Sequence, residues 1–149
     1  MKRIFVDIAA QRLTLHDEAG CVLFTAAVST GAAGVGTEEG SGKTPTGHFV
    51  ICSKHGTNAP LNTVFRGRLP KGLYDPQQDV GDAILARILC LHGTEAHNAN
   101  TRARYIYLHG TADTAQLGTP VSHGCIRLSP ADAAALYDRV PLGTAVEIR

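Results

Sequence analysis

Alternation of apolar and polar side chains at the start of the chain predicts a β-meander. The segments 3–8 and 11–16 alternate in this way, and a turn at 17–20 separates them from an apolar run that begins at Cys21. β-Branched and aromatic residues are frequent in these segments, as is typical of strands. We therefore expect strands at 3–8, 11–16 and 21–30, joined by short turns.

The middle of the chain combines apolar runs with one long polar stretch. A strand predicted at 48–52 is followed by residues 53–82, which carry three prolines and several charges. Structureless segments longer than about 12–15 residues are usually functional, so we expect a lid or a binding loop there. The apolar runs 83–91 and 105–108 are each followed by a His-Gly pair and predict buried strands, which would present His92 and His109 at their ends.

One helix is predicted, near the C-terminus. Ser129 is suited to cap its first turn, and Pro130 fits the first helical position. The helix is expected to end before Pro141, with a last strand at 144–148. Together these elements predict a mainly β (α+β) fold in a single domain that covers residues 1–149.

Composition excludes several classes of partner. The chain has 149 residues, with 14 Lys and Arg against 13 Asp and Glu, for a net charge of +1. This balance provides no electrostatic footprint for nucleic acid or for an anionic membrane. No apolar stretch approaches the roughly 18 residues that a transmembrane helix needs. We expect a monomer that binds neither nucleic acid nor membrane.

The four cysteines indicate free thiols rather than a metal site or a disulfide framework. Cys21, Cys52, Cys90 and Cys125 are far apart, and none forms a CxxC pair, which argues against a zinc finger or ribbon. We expect Cys21, Cys52 and Cys90 to be buried thiols. Unpaired thiols are typical of a reducing compartment.

The segment around Cys125 carries the candidate chemistry. Cys125 follows Gly124, which permits a tight turn and a close approach of the backbone to a substrate. The amides of His123, Gly124 and Cys125 are candidates for stabilising an oxyanion. A thiol needs its thiolate to react, and His109 is a candidate base that would lower the pKa of Cys125 into roughly the 3.5–7.5 range. The alternative from the residues alone is a structural cysteine flanked by two turn histidines.

At this point the sequence resembles a known family. Residues 109–110 and 122–127 read HG and SHGCIR, and they resemble the HG…[ST]HGC signature of the YkuD-type L,D-transpeptidase catalytic domain. Residues 28–31 (VSTG) and 44–49 (TPTGHF) resemble its upstream STG…TPxG.F pattern. The resemblance extends over nearly the whole chain, and it implies two packed mixed β-sheets with one helix after the catalytic motif.

The resemblance also implies residue roles in a thiol acyl transfer on peptidoglycan stem tetrapeptides. Cys125 would be the nucleophile and His109 its general base, oriented by the backbone carbonyl of Gly110. The oxyanion and substrate-binding region would comprise the residues Ser122, His123, Gly124 and Arg127. A guanidinium beside the pocket is suited to pair with a carboxylate of the stem peptide. No metal or organic cofactor is implied.

Two outcomes of this chemistry remain open. Hydrolysis of the bond before the terminal D-alanine would make the chain an L,D-carboxypeptidase of peptidoglycan recycling. Aminolysis would make it an L,D-transpeptidase that forms 3-3 cross-links or exchanges D-amino acids. We favour hydrolysis in the cytoplasm, because no signal peptide or anchor is visible at the first residues and the spare thiols suit a reducing compartment. A periplasmic transpeptidase is the alternative.

Two more distant alternatives belong to other classes. A zinc hydrolase could recruit its ligands from five residues: His92, His97, His109, His123 and Cys125. The sequence contains no HExxH or HxH pattern that would support this hypothesis. A binding module with an inactive site is disfavoured because the motif is intact.

Overall fold

The computed structural model describes residues 1–79 and 81–149, so that Val80, within the predicted loop 53–82, lies outside the described residues. In this part of the chain the structure is mainly β, with one α-helix near the C-terminus. The elements are β1 (Arg3–Asp7), β2 (Arg12–His16), β3 (Val22–Ala27), β4 (Gly47–His55), β5 (Thr63–Arg66), β6 (Leu69–Leu73), β7 (Ile84–Gly93), β8 (Tyr107–Thr111), β9 (Ile126–Leu128), α1 (Pro130–Arg139) and β10 (Ala145–Ile148).

All ten strands belong to one mixed sheet. Hydrogen-bonded neighbours follow the order β3-β2-β1-β10-β4-β7-β5-β6, while β8 joins the other side of β7 and carries β9. The pairs β1–β10 and β8–β9 are parallel, and the other pairs are antiparallel. The expectation of two separate packed sheets is therefore wrong in this respect. The reason is β7, whose 10 residues are long enough to pair with β4, β5 and β8.

Alternating side chains divide β7, β8 and β9 into two different faces. One face belongs to the main hydrophobic core, through residues that include Leu89, Leu91, Leu108, Ile126 and Leu128. The other face carries a smaller apolar cluster of Phe65, Ile88, Cys90 and Tyr107, against which Cys125 packs. Cys125 therefore lies on the face opposite the main core, where a substrate can be reached without opening the core.

The helix α1 closes the main core next to the motif. Ser129 caps it as predicted, because its Oγ accepts a hydrogen bond from the amide of Asp132 at 3.0 Å. Ala133 and Leu136 are fully buried, and α1 packs against β7 and β8. Neither residues 1–79 nor residues 81–149 contain a helix that is both long and apolar enough to cross a membrane.

Two elements differ from the expectation based on sequence. The stretch 53–82 is not a structureless loop, because it holds the end of β4 and the hairpin β5–β6. Every residue of β6 is exposed, so this edge strand has no apolar alternation that would reveal it. The three-residue strand β9 is buried at every position, which also removes the alternation.

The cysteines are all free thiols, but their burial differs from one to the next. Cys90 is buried as expected, Cys52 is half-buried, and Cys21 is exposed, so the expectation of burial was wrong for Cys21. Cys21 stands in the turn before β3, at an open edge of the sheet.

Candidate active site

The parallel pairing of β8 with β9 brings Cys125 and His109 together. Leu108 lies opposite Ile126 and His109 lies opposite Arg127, so Tyr107 is level with Cys125. Side chains alternate along a strand, and therefore the side chains of Cys125 and His109 project from the same face as diagonal neighbours on adjacent segments. His109 stands in the middle of β8, rather than at a strand end as predicted.

The imidazole of His109 is oriented by a backbone carbonyl and is neutral at neutral pH. Its ring is almost fully buried, and its Nδ1 lies 2.7 Å from the backbone carbonyl oxygen of Gly110. A carbonyl oxygen only accepts hydrogen bonds, so Nδ1 carries the proton and Nε2 carries the free lone pair. Burial lowers the pKa of His109 below its ordinary value, and this outweighs the contact with Gly110, which raises it. At neutral pH, Nε2 is therefore ready to accept a proton.

The thiol of Cys125 is neutral in the resting site. Its Sγ donates to the carbonyl oxygen of Tyr105 and accepts from the amide of Tyr107, both at 3.3 Å. The residue keeps partial access to solvent, but burial of its thiol raises the pKa of Cys125 to about 12, although the Tyr107 amide acts in the opposite direction. The expectation that His109 lowers this pKa into the range 3.5–7.5 is thus wrong, because desolvation of the thiolate dominates.

The turn before Cys125 is closed by the hydroxyl of Ser122. Ser122 Oγ donates to the carbonyl oxygen of Cys125 at 2.6 Å and accepts from the amide of Gly124 at 3.1 Å. Gly124 has a φ of +124°, and a Cβ there would come within 3.1 Å of the carbonyl oxygen of Lys43. The positive φ and the close Lys43 carbonyl explain the glycine at position 124, and the two hydrogen bonds explain the serine at position 122.

This turn decides which amides are available to an oxyanion. The amide of Gly124 already donates to Ser122, so Gly124 is not a free donor. The amides of His123 and Cys125 donate to no other group within residues 1–79 and 81–149. Of the three predicted donors, two remain available, and one of these belongs to Cys125, the candidate nucleophile.

Arg127 is buried and already paired with a carboxylate. Its Nη2 lies 3.0 Å from Asp82 Oδ1, and His123 Nδ1 lies 3.6 Å from the other oxygen of Asp82. The buried Nε of Arg127 has no hydrogen-bond partner within the described ranges. Arg127, Asp82 and His123 line a cleft of about 450 Å³, which also contacts Tyr74 and Thr111.

Asp82 is a residue of this site that sequence reasoning missed. It lies just before β7, at the end of the polar stretch 53–82, and no local pattern distinguishes it from the other acidic residues there. Only the tertiary structure brings it against Arg127.

Gly110 is required where β7 and β8 approach each other. A Cβ at this position would overlap the carbonyl oxygen of Leu85, beside the irregularity in the ladder between Leu85 and Ile88. The same residue provides the carbonyl that holds His109. Its backbone position therefore couples the packing of the sheet to the orientation of the candidate base.

The residues proposed as alternative zinc ligands are not grouped as a metal site within the described ranges. His97 Nε2 lies 2.9 Å from the carbonyl oxygen of Thr46, and His92 stands on β7 where it pairs with β4. Over residues 1–79 and 81–149, no three His, Cys, Asp or Glu side chains are grouped so that they could hold a metal ion.

Comparison with known proteins finds a family whose model covers nearly the whole chain. A family model for YkuD, the L,D-transpeptidase catalytic domain, matches residues 1–148. No curated protein shows a significant match to the sequence.

Solved structures of L,D-transpeptidases have the same fold. An L,D-transpeptidase from Mycobacterium smegmatis has a TM-score of 0.64 and 22% identity, covering 99% of this chain and 58% of that chain. The enzyme from Xylanimonas cellulosilytica has a TM-score of 0.65 and 22% identity, covering 99% and 60%. LdtMt1, solved in complex with imipenem, has a TM-score of 0.62 and 26% identity, covering 99% and 58%. The chain thus spans less than two thirds of the length of these structures.

Proposed function

Because the chain belongs to the YkuD family of L,D-transpeptidase catalytic domains, we propose that it transfers acyl groups of peptidoglycan stem tetrapeptides through a thioester on Cys125. The observation that carries this proposal is the pairing of β8 with β9. It places Cys125 on the same face as His109, whose Nδ1 proton is held by Gly110 and whose Nε2 is free to act as a base.

The neutral resting pair indicates how the thiol is activated. A free thiolate is disfavoured at a pKa of about 12, so the proton leaves Sγ as the sulfur attacks the carbonyl carbon. His109 Nε2 takes this proton while the carbonyl oxygen becomes an oxyanion. The amide of Cys125 is a donor for that oxyanion, and the amide of His123 is a second candidate.

Breakdown of the tetrahedral intermediate completes acylation. The bond to the amine of the terminal D-alanine breaks, and the imidazolium of His109 returns the proton to that amine. A thioester between Cys125 and the third stem residue remains. Attack by water then releases a tripeptide acid, whereas attack by an amine of a second stem forms a cross-link.

We favour hydrolysis in the cytoplasm as the outcome. The four free thiols, with Cys21 exposed, suit a reducing compartment. Cross-linked wall is absent from the cytoplasm, but fragments with tetrapeptides can be present there. Transpeptidation in the periplasm is the second candidate, and the similarity to solved L,D-transpeptidases favours it.

Incubation with a soluble tetrapeptide fragment, followed by mass spectrometry, distinguishes the two outcomes. We expect tripeptide and D-alanine to dominate even with excess D-amino acid or a second stem. If cross-linked dimer or D-amino-acid exchange product dominates, transpeptidation is the main activity. Cys125→Ser should abolish both hydrolysis and transpeptidation, whereas the matched control Cys52→Ser should keep turnover within a few-fold of the wild type. Robust turnover by Cys125→Ser would overturn the proposal.

Arg127 is our candidate partner for a carboxylate of the stem. Its Nη2 is held by Asp82, so an incoming carboxylate would share the guanidinium through the unpartnered Nε. Arg127→Lys keeps the charge but loses this geometry, and we expect it to raise KM more than it lowers kcat. An unchanged KM would assign Arg127 to the structural pair with Asp82 alone.

A further inference from the structure

The hydroxyl of Thr44 joins two segments behind the turn that carries the nucleophile. Thr44 Oγ1 donates to the carbonyl oxygen of Gly124 and accepts from the amide of Gly31, each at 2.8 Å. The residue is fully buried, so water does not compete for either bond. A hydroxyl has one proton to donate, and here that proton goes to the residue just before Cys125.

The segment that carries Thr44 is itself anchored. Arg104 donates to the carbonyl oxygen of Lys43 at 2.7 Å and to that of Gly36 at 3.2 Å. Gly31 has no room for a side chain, because a Cβ there would lie 2.7 Å from the carbonyl oxygen of Gly42. The hydroxyl of Thr44 is therefore presented to the turn by a tightly packed loop.

The bond to Gly124 also determines the direction of the next amide. The carbonyl of Gly124 and the N–H of Cys125 belong to one planar peptide unit, and in a trans unit they point in opposite directions. A hydrogen bond that holds the carbonyl oxygen thus holds the N–H as well. That N–H donates to no other group in the described parts of the chain.

We propose that Thr44 is a positioning residue, which orients the Cys125 amide toward the oxyanion formed during acylation. This inference rests on the proposed acylation of Cys125. Ser122 holds the peptide units on either side through Gly124 and the carbonyl of Cys125, but the unit between them depends on Thr44. Removal of one oxyanion donor costs about 10²–10³ in rate, so misorientation of this donor should cost about 10–100-fold.

Two reactions of the same sulfur separate this role from general structural support. In acylation by imipenem, the sulfur attacks a carbonyl carbon and an oxyanion forms. In alkylation by iodoacetamide, the sulfur displaces iodide and no oxyanion forms. Thr44→Val removes the hydroxyl at nearly constant shape. We expect it to slow acylation of Cys125 by about 10–100-fold and to leave alkylation within about 3-fold. Thr44→Ser, which retains the hydroxyl, should keep both rates close to those of the wild type.

Thr101→Val is the matched control. Thr101 is also fully buried, and its hydroxyl donates to the carbonyl oxygen of Asn98 at 2.6 Å rather than to a carbonyl of the turn 122–125. We expect this variant to lose stability while the ratio of acylation to alkylation stays unchanged. If Thr44→Val does not fold, the ratio of acylation to alkylation can be measured on Thr44→Ala, which also lacks the hydroxyl.

Each outcome either supports or overturns the inference. An equal loss in both reactions, or no loss in either, would show that Thr44 does not position the amide. A drop of the ratio in Thr44→Ser would exclude the hydroxyl as the cause. If neither imipenem nor a tetrapeptide acylates Cys125 in the wild type, the proposed function itself is wrong; if the wild type reacts normally, only the role of Thr44 is at stake.

Discussion

Alkylation of Cys125 should be slow at neutral pH and should continue to rise with pH beyond the range of an ordinary thiol. The cause is the apolar cluster of Phe65, Ile88, Cys90 and Tyr107, against which the thiol packs. Burial raises the pKa of Cys125 from 9.0 to about 12, because this environment solvates a thiolate poorly. The amide of Tyr107 offsets only part of that penalty.

The magnitude follows from two opposing effects. Three pKa units lower the thiolate fraction at pH 7 by about 1000-fold. A more basic thiolate is also more nucleophilic, and a Brønsted coefficient of about 0.4–0.5 recovers about 15–30-fold of that loss. The net expectation is that Cys125 reacts about 30–60-fold more slowly than an ordinary thiol at pH 7.

The assay is a timed pulse of iodoacetamide at pH values from 6 to 10.5. Mass spectrometry of the peptides then measures alkylation at Cys125 separately from the other cysteines, with a short cysteine peptide as the reference thiol. His109→Gln is the informative variant. It should lower turnover by about 10²–10⁴ but change alkylation by less than about 3-fold, because His109 does not lower the pKa of the thiol.

A plateau of the alkylation rate below pH 8 would refute this reasoning. It would mean that Cys125 and His109 rest as a thiolate and an imidazolium, so that neutral groups could not be the starting point of the reaction. The same conclusion would follow if Cys125 reacted faster than the reference peptide at pH 7.

Three further predictions concern stability. Ser129→Ala removes the cap of α1 and should cost about 0.5–2 kcal/mol, so a thermal melt identical to that of the wild type would contradict the capping role. Gly110→Ala puts a Cβ against the carbonyl of Leu85; we expect a loss of about 1–3 kcal/mol in chemical denaturation and a larger fall in turnover than Ser129→Ala causes. Burial lowers the pKa of His109, so below pH 6.5 the unfolded chain binds a proton that the folded chain does not. Relative to His109→Gln, the wild type should therefore lose stability as the pH falls below 6.5, by up to about 1.4 kcal/mol per pH unit. Unfolding free energies that change with pH in parallel for the two proteins would refute this prediction.

Local patterns in the sequence were sufficient for much of the fold. Alternation predicted β1 and β2, and the run 83–91 predicted β7, because a strand with one or two buried faces must place apolar side chains at regular positions. The cap of α1 was readable at Ser129 for a similar reason, since a cap bonds to an amide three residues away. The motif 122–127 indicated the family, and the match over residues 1–148 confirms it.

Other features depended on contacts between distant parts of the chain. The edge strand β6 carries no buried residue, and β9 has no exposed one, so neither has a pattern to detect. The carboxylate beside Arg127 comes from Asp82, which only the course of the chain before β7 brings near it.

The amino-acid sequence alone identifies the candidate nucleophile and the candidate base, because residues 109–110 and 122–127 carry them in two short segments. The protonation and orientation of those groups depend on the tertiary structure. The pKa of Cys125 depends on how completely its neighbours exclude water, and those neighbours include Phe65 and Ile88 from other strands. The direction of the Cys125 amide depends on a hydroxyl that lies 80 residues from Gly124 in the chain. Desolvation and orientation are properties of an assembled environment, and no local segment contains them.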